Sequence, residues 1–129
     1  MSFTTLLLSY WFPVGAWAGL IFYLSSIPHL NSGLGVWDFV LRKGAHMFEF
    51  FVLALLLARA SRKTWPQLAR MGLAAVAGLG AIVFAASDEY HQSFVPGRGP
   101  SLGDIAIDSC GVMLALIVIS RWMKIYETN

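Results

Sequence analysis

Three stretches of this chain are long enough and apolar enough to cross a hydrocarbon layer, and that property limits what it can fold into more than any motif does. They are Leu6 to Ser25, interrupted only by Ser9 and Pro13, Met71 to Glu89, rich in Gly and Ala, and Leu102 to Ser120. A bilayer core roughly 30 Å thick takes about 20 helical residues to cross. With 57% hydrophobic and only 12% charged residues in a chain of 129, water is not the expected solvent. That length holds four or five crossings and leaves no room for a separate soluble domain, so residues 1–129 are expected to form one transmembrane domain.

A fourth crossing is less direct. The apolar run after His46 reaches only Ala58, so a helix there has to extend back through Arg42 and Lys43 to span. Gly15 and Gly19 form a GxxxG pair suited to close helix packing, and Gly72, Gly78 and Gly80 give the third segment the same character. The first segment has no basic region before it, as a cleavable signal would, and is expected to be retained.

The nine Lys and Arg mostly flank the apolar runs, which points to topology rather than nucleic acid. Arg59, Arg62, Lys63 and Arg70 in one loop and Arg121 and Lys124 in the tail put six on one side, against Arg42, Lys43 and Arg98 on the other. The expected fold is therefore all-α, a four-transmembrane-helix bundle with both termini cytoplasmic and loops 27–38 and 90–100 outside. Six of the seven acids and all three histidines then fall toward the outer face.

A charged residue near mid-membrane costs on the order of 2.5–3.5 kcal/mol on insertion scales, so such residues need a reason. Lys43, His46 and Glu49 follow a three-residue spacing that keeps successive members near one helix face. Asp88, His91 and Gln92 share a face at the end of the third segment, with Glu89 turned about 100° from Asp88. The Pro96-Gly97-Arg98-Gly99-Pro100 run forces a compact turn and presents Arg98 as an anion partner. Ser101 and Asp104 match a helix start, Ser101 as N-cap and Asp104 in the first turn. Asp108, one turn deeper, is beyond capping reach and inside the expected span, which favours a functional or buried-network role.

The alternatives for these groups are ordinary ones: an interface-snorkelling Lys43, a capping pair at Ser101 and Asp104, a solvated His29. Tyr10, Trp11, Trp65, Trp122 and Tyr126 read as interface anchors. Cys110 is the one cysteine and excludes an internal disulfide or CxxC pair. The acids could hold a hard cation, but their spacing matches no ordered metal signature, so no metal is assigned, and no cofactor follows.

Two blocks carry a family resemblance. Arg42-Lys43-Gly44-Ala45-His46-Met47-Phe48-Glu49-Phe50 looks like a K-x-x-H motif followed by an aromatic position, and Ser87-Asp88-Glu89-Tyr90-His91-Gln92-Ser93-Phe94-Val95-Pro96-Gly97-Arg98 continues through Ser101, Asp104, Asp108 and Gly111. Together they resemble the VanZ-like family, named for a protein associated with teicoplanin resistance. The segment Phe22 to Pro28 is similar to the end of that family's first helix. Phe50 stands where Tyr is expected and Asp108 where Asn is frequent.

The resemblance implies a lone four-helix, multi-pass protein of the bacterial cytoplasmic membrane. The residues admit several functions. One is binding of an anionic lipid or cell-wall precursor headgroup at the outer face by Lys43, His46, Asp88, Glu89, Gln92, Arg98, Ser101, Asp104 and Asp108, with a link to glycopeptide access. Another is an enzyme acting on a lipid phosphate or ester, its catalytic candidates being His46, Glu49, Asp88, Glu89 and Asp108. Proton-coupled transport is a third, for which four helices are thin unless they oligomerise. A structural or partner-binding role, with the polar groups as interhelical glue, is the fourth.

Overall fold

The computed structural model describes residues 2–28, 33–99 and 101–127, with side chains as far as Trp122. Four long helices account for most of them, and no strand occurs among the described residues. We label them α1 (Phe3–Ser25), α2 (Val36–Thr64), α3 (Arg70–Gln92) and α4 (Leu102–Glu127). His29 and Pro100 lie outside the described residues, as do the side chains of Lys124 and Tyr126.

Three helical segments are long and apolar enough to cross a membrane: Phe3–Ser25, Arg70–Gln92 and Leu102–Trp122. The fourth, α2, has the length but not the composition. It does extend back through Arg42 and Lys43, as its short apolar run requires, and reaches 29 residues. Its 29 residues carry Asp38, Arg42, Lys43 and Glu49 in the first half and Arg59, Arg62 and Lys63 near the end.

Of these, Asp38 is buried and Lys43 and Glu49 are half-buried, whereas Arg42, Arg59, Arg62 and Lys63 are exposed; the helix itself lies against both α3 and α4. Phe50, Leu53 and Ala54 of α2 meet Ala81 and Ala85 of α3 and Val112 and Ala115 of α4 in one core, which Val14 and Ile21 of α1 close. Both α2 and α4 run away from the polar end of the bundle, so they form a parallel pair. Gly111 of α4 sits directly on the α2 backbone at Met47 and Phe51, where no side chain fits. On the neighbouring seam, Gly78 of α3 accommodates Leu116 of α4, whose Cδ1 is 3.0 Å from where a β-carbon would stand.

The GxxxG expectation for α1 is not met inside this chain. Nothing lies within 4 Å of a β-carbon built on Gly15 or Gly19. The reason is rotational: α1 buries the face of Val14, Ile21 and Ser25, and the glycines fall off that stripe. Larger groups dock α1 instead. Trp11 Nε1 donates to Thr64 Oγ1 at 2.9 Å, Trp17 Nε1 donates to the Glu49 carbonyl at 2.9 Å, and the Arg59 guanidinium lies 4.6 Å from the Tyr10 ring centre. Two of the aromatic residues expected as interface anchors, Tyr10 and Trp11, thus staple α1 to α2, together with Trp17.

Candidate functional site

The polar residues gather where α1 and α3 end and α2 and α4 begin, and they divide into two sets by what they bond to. The first ties elements together. Val95-Pro96-Gly97-Arg98 has the signature of a type II turn, with proline at the second position, Gly97 at φ 79° in the third, and the Arg98 amide donating to the Val95 carbonyl at 3.1 Å. Buried Val95 anchors the turn, which sends Arg98 back toward the end of α1.

There Arg98 acts as a clamp. Its Nε donates to the Ile27 carbonyl at 3.1 Å, one terminal nitrogen to the Leu24 carbonyl at 3.2 Å and the other to Gln92 Oε1 at 3.3 Å. A cation suits a helix C-terminus, where the last carbonyls have no intrahelical donors. Gln92 in turn donates to Asp88 Oδ2 at 2.9 Å, and Ser25 of α1 donates to the same oxygen at 2.6 Å. The guanidinium has five N–H groups, and these three bonds leave two for anything else. Burial lowers its pKa from the ordinary value, Arg42 adds to that shift, and Asp88, Glu49 and Glu89 oppose it.

Glu89 belongs to the same set. Its Oε2 accepts from the Ser101 amide at 2.7 Å, while the Ser101 hydroxyl accepts from the Asp104 amide at 3.3 Å. Ser101 therefore caps α4 as its position predicts. The reciprocal half of the capping box, however, comes from α3 rather than from Asp104.

Asp104 is thereby released to face α2, and it begins the second set. Lys43 Nζ pairs with Asp104 Oδ1, and one turn further along both helices His46 Nδ1 stands 3.4 Å from Asp108 Oδ1. The parallel run of α2 and α4 makes this a ladder, closed below by Gly111 against Met47. The His46–Asp108 contact is an ion-pair distance without hydrogen-bond alignment, for neither atom has a hydrogen-bond partner among the described groups. Asp88 Oδ1 and Glu89 Oε1 are likewise buried with no hydrogen-bond partner there. Buried carboxylate oxygens in this condition are expensive unless a proton or ligand satisfies them.

Two adjoining clefts open onto the second set. One, of about 220 Å³, includes Leu24, Ser25, Ala45, His46, Glu49 and Arg98 in its walls. The other, of about 180 Å³, is lined by Phe39, Lys43, His46, Gln92, Arg98 and Asp104 among others. Arg42, His46 and Arg98 border both. No group of three or more His, Cys, Asp or Glu side chains able to hold a metal occurs among the described residues. Chemically, the clefts offer three cationic side chains at their walls and an imidazole backed by a carboxylate.

Of the residues singled out in the sequence, all ten gather at this end. Arg42 was not among them: it pairs with Asp38 at 3.1 Å and borders both clefts. Ser25 and Ser26 were also missed as site residues, although two serines ending an apolar helix were a visible signal. His91 shares its helical face with Asp88 and Gln92 but packs against the end of α1, half-buried, 3.0 Å from Ser26 Oγ and stacked on Phe22 at 4.0 Å between ring centres.

No curated protein and no solved structure matches the chain. A family model described as VanZ/LLP1 matches residues 6–124, a stretch that contains both sequence blocks and every site residue above. With several apolar helices long enough to span, this is a multi-pass membrane protein, and it belongs to the VanZ-like family.

Proposed function

We propose that this protein crosses the bacterial cytoplasmic membrane four times, with both termini inside, and holds the anionic headgroup of a lipid or cell-wall precursor at the outer face. The fourth crossing is α2. Asp38 and Lys63 are 25 residues apart along it, about 37 Å of helix, which exceeds the roughly 30 Å core and takes its terminal charges to the two interfaces. The excess of basic residues at the other end of the bundle supports placing the clefts outside.

The observation that carries the headgroup reading is the convergence of Arg42, Arg98 and Lys43 on two clefts at one end of a membrane bundle. Arg42 and the two remaining N–H groups of Arg98 suit phosphate oxygens. Shielding a precursor there is how such binding would connect to teicoplanin resistance.

A second reading has one observation in its favour. An imidazole facing a carboxylate beside an anion-binding cleft is the arrangement of a general base, so hydrolysis of a bound lipid phosphate or ester is the alternative. His46 would take a proton from water as the water oxygen attacks phosphorus or the ester carbon, and the lipid alcohol would leave with a proton.

One titration separates these. Purified protein in nanodiscs is presented with polyprenyl phosphates and anionic phospholipids, and binding and release of phosphate or alcohol are followed together. Saturable binding weakened by Arg42→Gln and without turnover supports the headgroup reading. Turnover abolished by His46→Gln supports the enzyme, and no binding by wild type overturns both.

A further inference from the structure

The opposite end of the bundle carries a larger groove, of about 440 Å³, lined by residues that include Leu55, Arg59, Arg62, Leu73, Val118 and Trp122. Arg59 lies 13 residues beyond His46 on α2, roughly 20 Å away along the helix, so the groove is separate from the polar clefts. Its walls are apolar apart from Arg59 and Arg62, which stand one turn apart on α2. Lys63, Arg70 and Arg121 are at the same end, and of the seven acidic residues only Glu127 lies there.

We propose that this groove is a binding site for one phospholipid with an anionic headgroup, an acyl chain lying against Leu55, Leu73 and Val118 and the phosphate held by Arg59 and Arg62. Charge decides the headgroup: two guanidinium groups at the rim of an apolar groove, with no carboxylate lining it, complement phosphate and its lipid-borne negative charge. Arg59 is already ordered over the Tyr10 ring, so less freedom is lost when it takes a ligand. The Trp122 indole suits headgroup depth. A peptide occupant is disfavoured by the lining itself, which has no side-chain acceptor for a peptide's backbone N–H groups.

Native mass spectrometry of the full chain in detergent tests this, with phosphatidylglycerol and phosphatidylcholine of identical acyl chains as the probes. In an Arg42→Gln background, used throughout so that the polar clefts are weakened, one phosphatidylglycerol per chain should be retained, with a preference of roughly fivefold or more over phosphatidylcholine, the size expected from surface basic residues acting on an anionic lipid. Arg62→Gln should reduce that preference and Arg59→Gln/Arg62→Gln should remove it, while Val118→Trp, which fills the groove, should lower retention of both lipids. His46→Gln, in the polar clefts, should leave the preference intact, and unchanged thermal melts show that each variant is folded. Equal retention of the two lipids overturns the proposal. So does a preference that survives the double arginine variant or Val118→Trp, one that vanishes in His46→Gln, or a chain dimer appearing in place of bound lipid.

Discussion

Gly111 of α4 rests on the Met47 carbonyl of α2: a β-carbon there would overlap that oxygen and stand 3.2 Å from the Phe51 amide nitrogen. Both obstacles are backbone, so neither can rotate away. Gly111→Ala must push the parallel helices apart just below the His46–Asp108 contact. Overpacking of this kind costs about 1–3 kcal/mol. The expected result is a lower thermal midpoint in detergent together with loss of headgroup binding. An unchanged midpoint would show that the helices part without cost.

The Arg98 clamp makes a sharper distinction between charge and shape. Its three acceptors, the Leu24 and Ile27 carbonyls and Gln92, lie in different directions, and a lysine ammonium is a single point at the end of a flexible stem. Arg98→Lys should therefore fail to restore stability lost in Arg98→Gln, both variants loosening the end of α1. Protease sensitivity near Ser25 to Pro28 reads this directly. Full protection in the lysine variant would mean that charge alone holds the turn.

The sequence made some of this architecture legible and hid the rest, for physical reasons. Apolar length marks α1, α3 and α4, and the need to lengthen a short apolar run correctly extended α2 back through Lys43. Spacing also grouped Asp88 with Gln92, which do hydrogen bond. What spacing cannot give is the partner across a helix seam. Asp104 looked like the acid of its own capping box, yet Glu89 serves the Ser101 amide and Asp104 faces Lys43. Helical periodicity is blind to which of two nearby carboxylates fills a given role. The Gly15 and Gly19 pair was misleading for a related reason, since small residues permit close approach without specifying that a helix arrives.

Glu89 supplies a test of that substitution of roles. A glutamine keeps a carbonyl oxygen for the Ser101 amide, whereas alanine keeps none. Glu89→Ala should cost on the order of 0.5–2 kcal/mol, the range for losing a helix cap, with Glu89→Gln close to wild type. Chemical denaturation in mixed micelles measures the pair. Equal loss in both variants would assign the effect to the carboxylate's charge instead.

The ladder between α2 and α4 yields the prediction most tied to function. Lys43 and Asp104 are the outer rung, each partly shielded, and removing one leaves the other's charge unpaired in a half-buried seam. Lys43→Met and Asp104→Asn should each destabilise, and the double variant should lose less than their sum, with a coupling of roughly 0.5–3 kcal/mol in a double-mutant cycle. His46 and Asp108 form the inner rung, and here the expectation reverses. Their contact is 3.4 Å without hydrogen-bond alignment, so it contributes little to folding; His46 borders both clefts, and Asp108, buried behind it, acts on them only through the imidazole. Asp108→Asn should keep the melting temperature within a few degrees while changing headgroup binding or turnover at least tenfold, a difference of about 1.4 kcal/mol. Additive losses at Lys43 and Asp104 would dissolve the outer rung. A large stability loss with unaltered ligand behaviour in Asp108→Asn would make the inner rung structural.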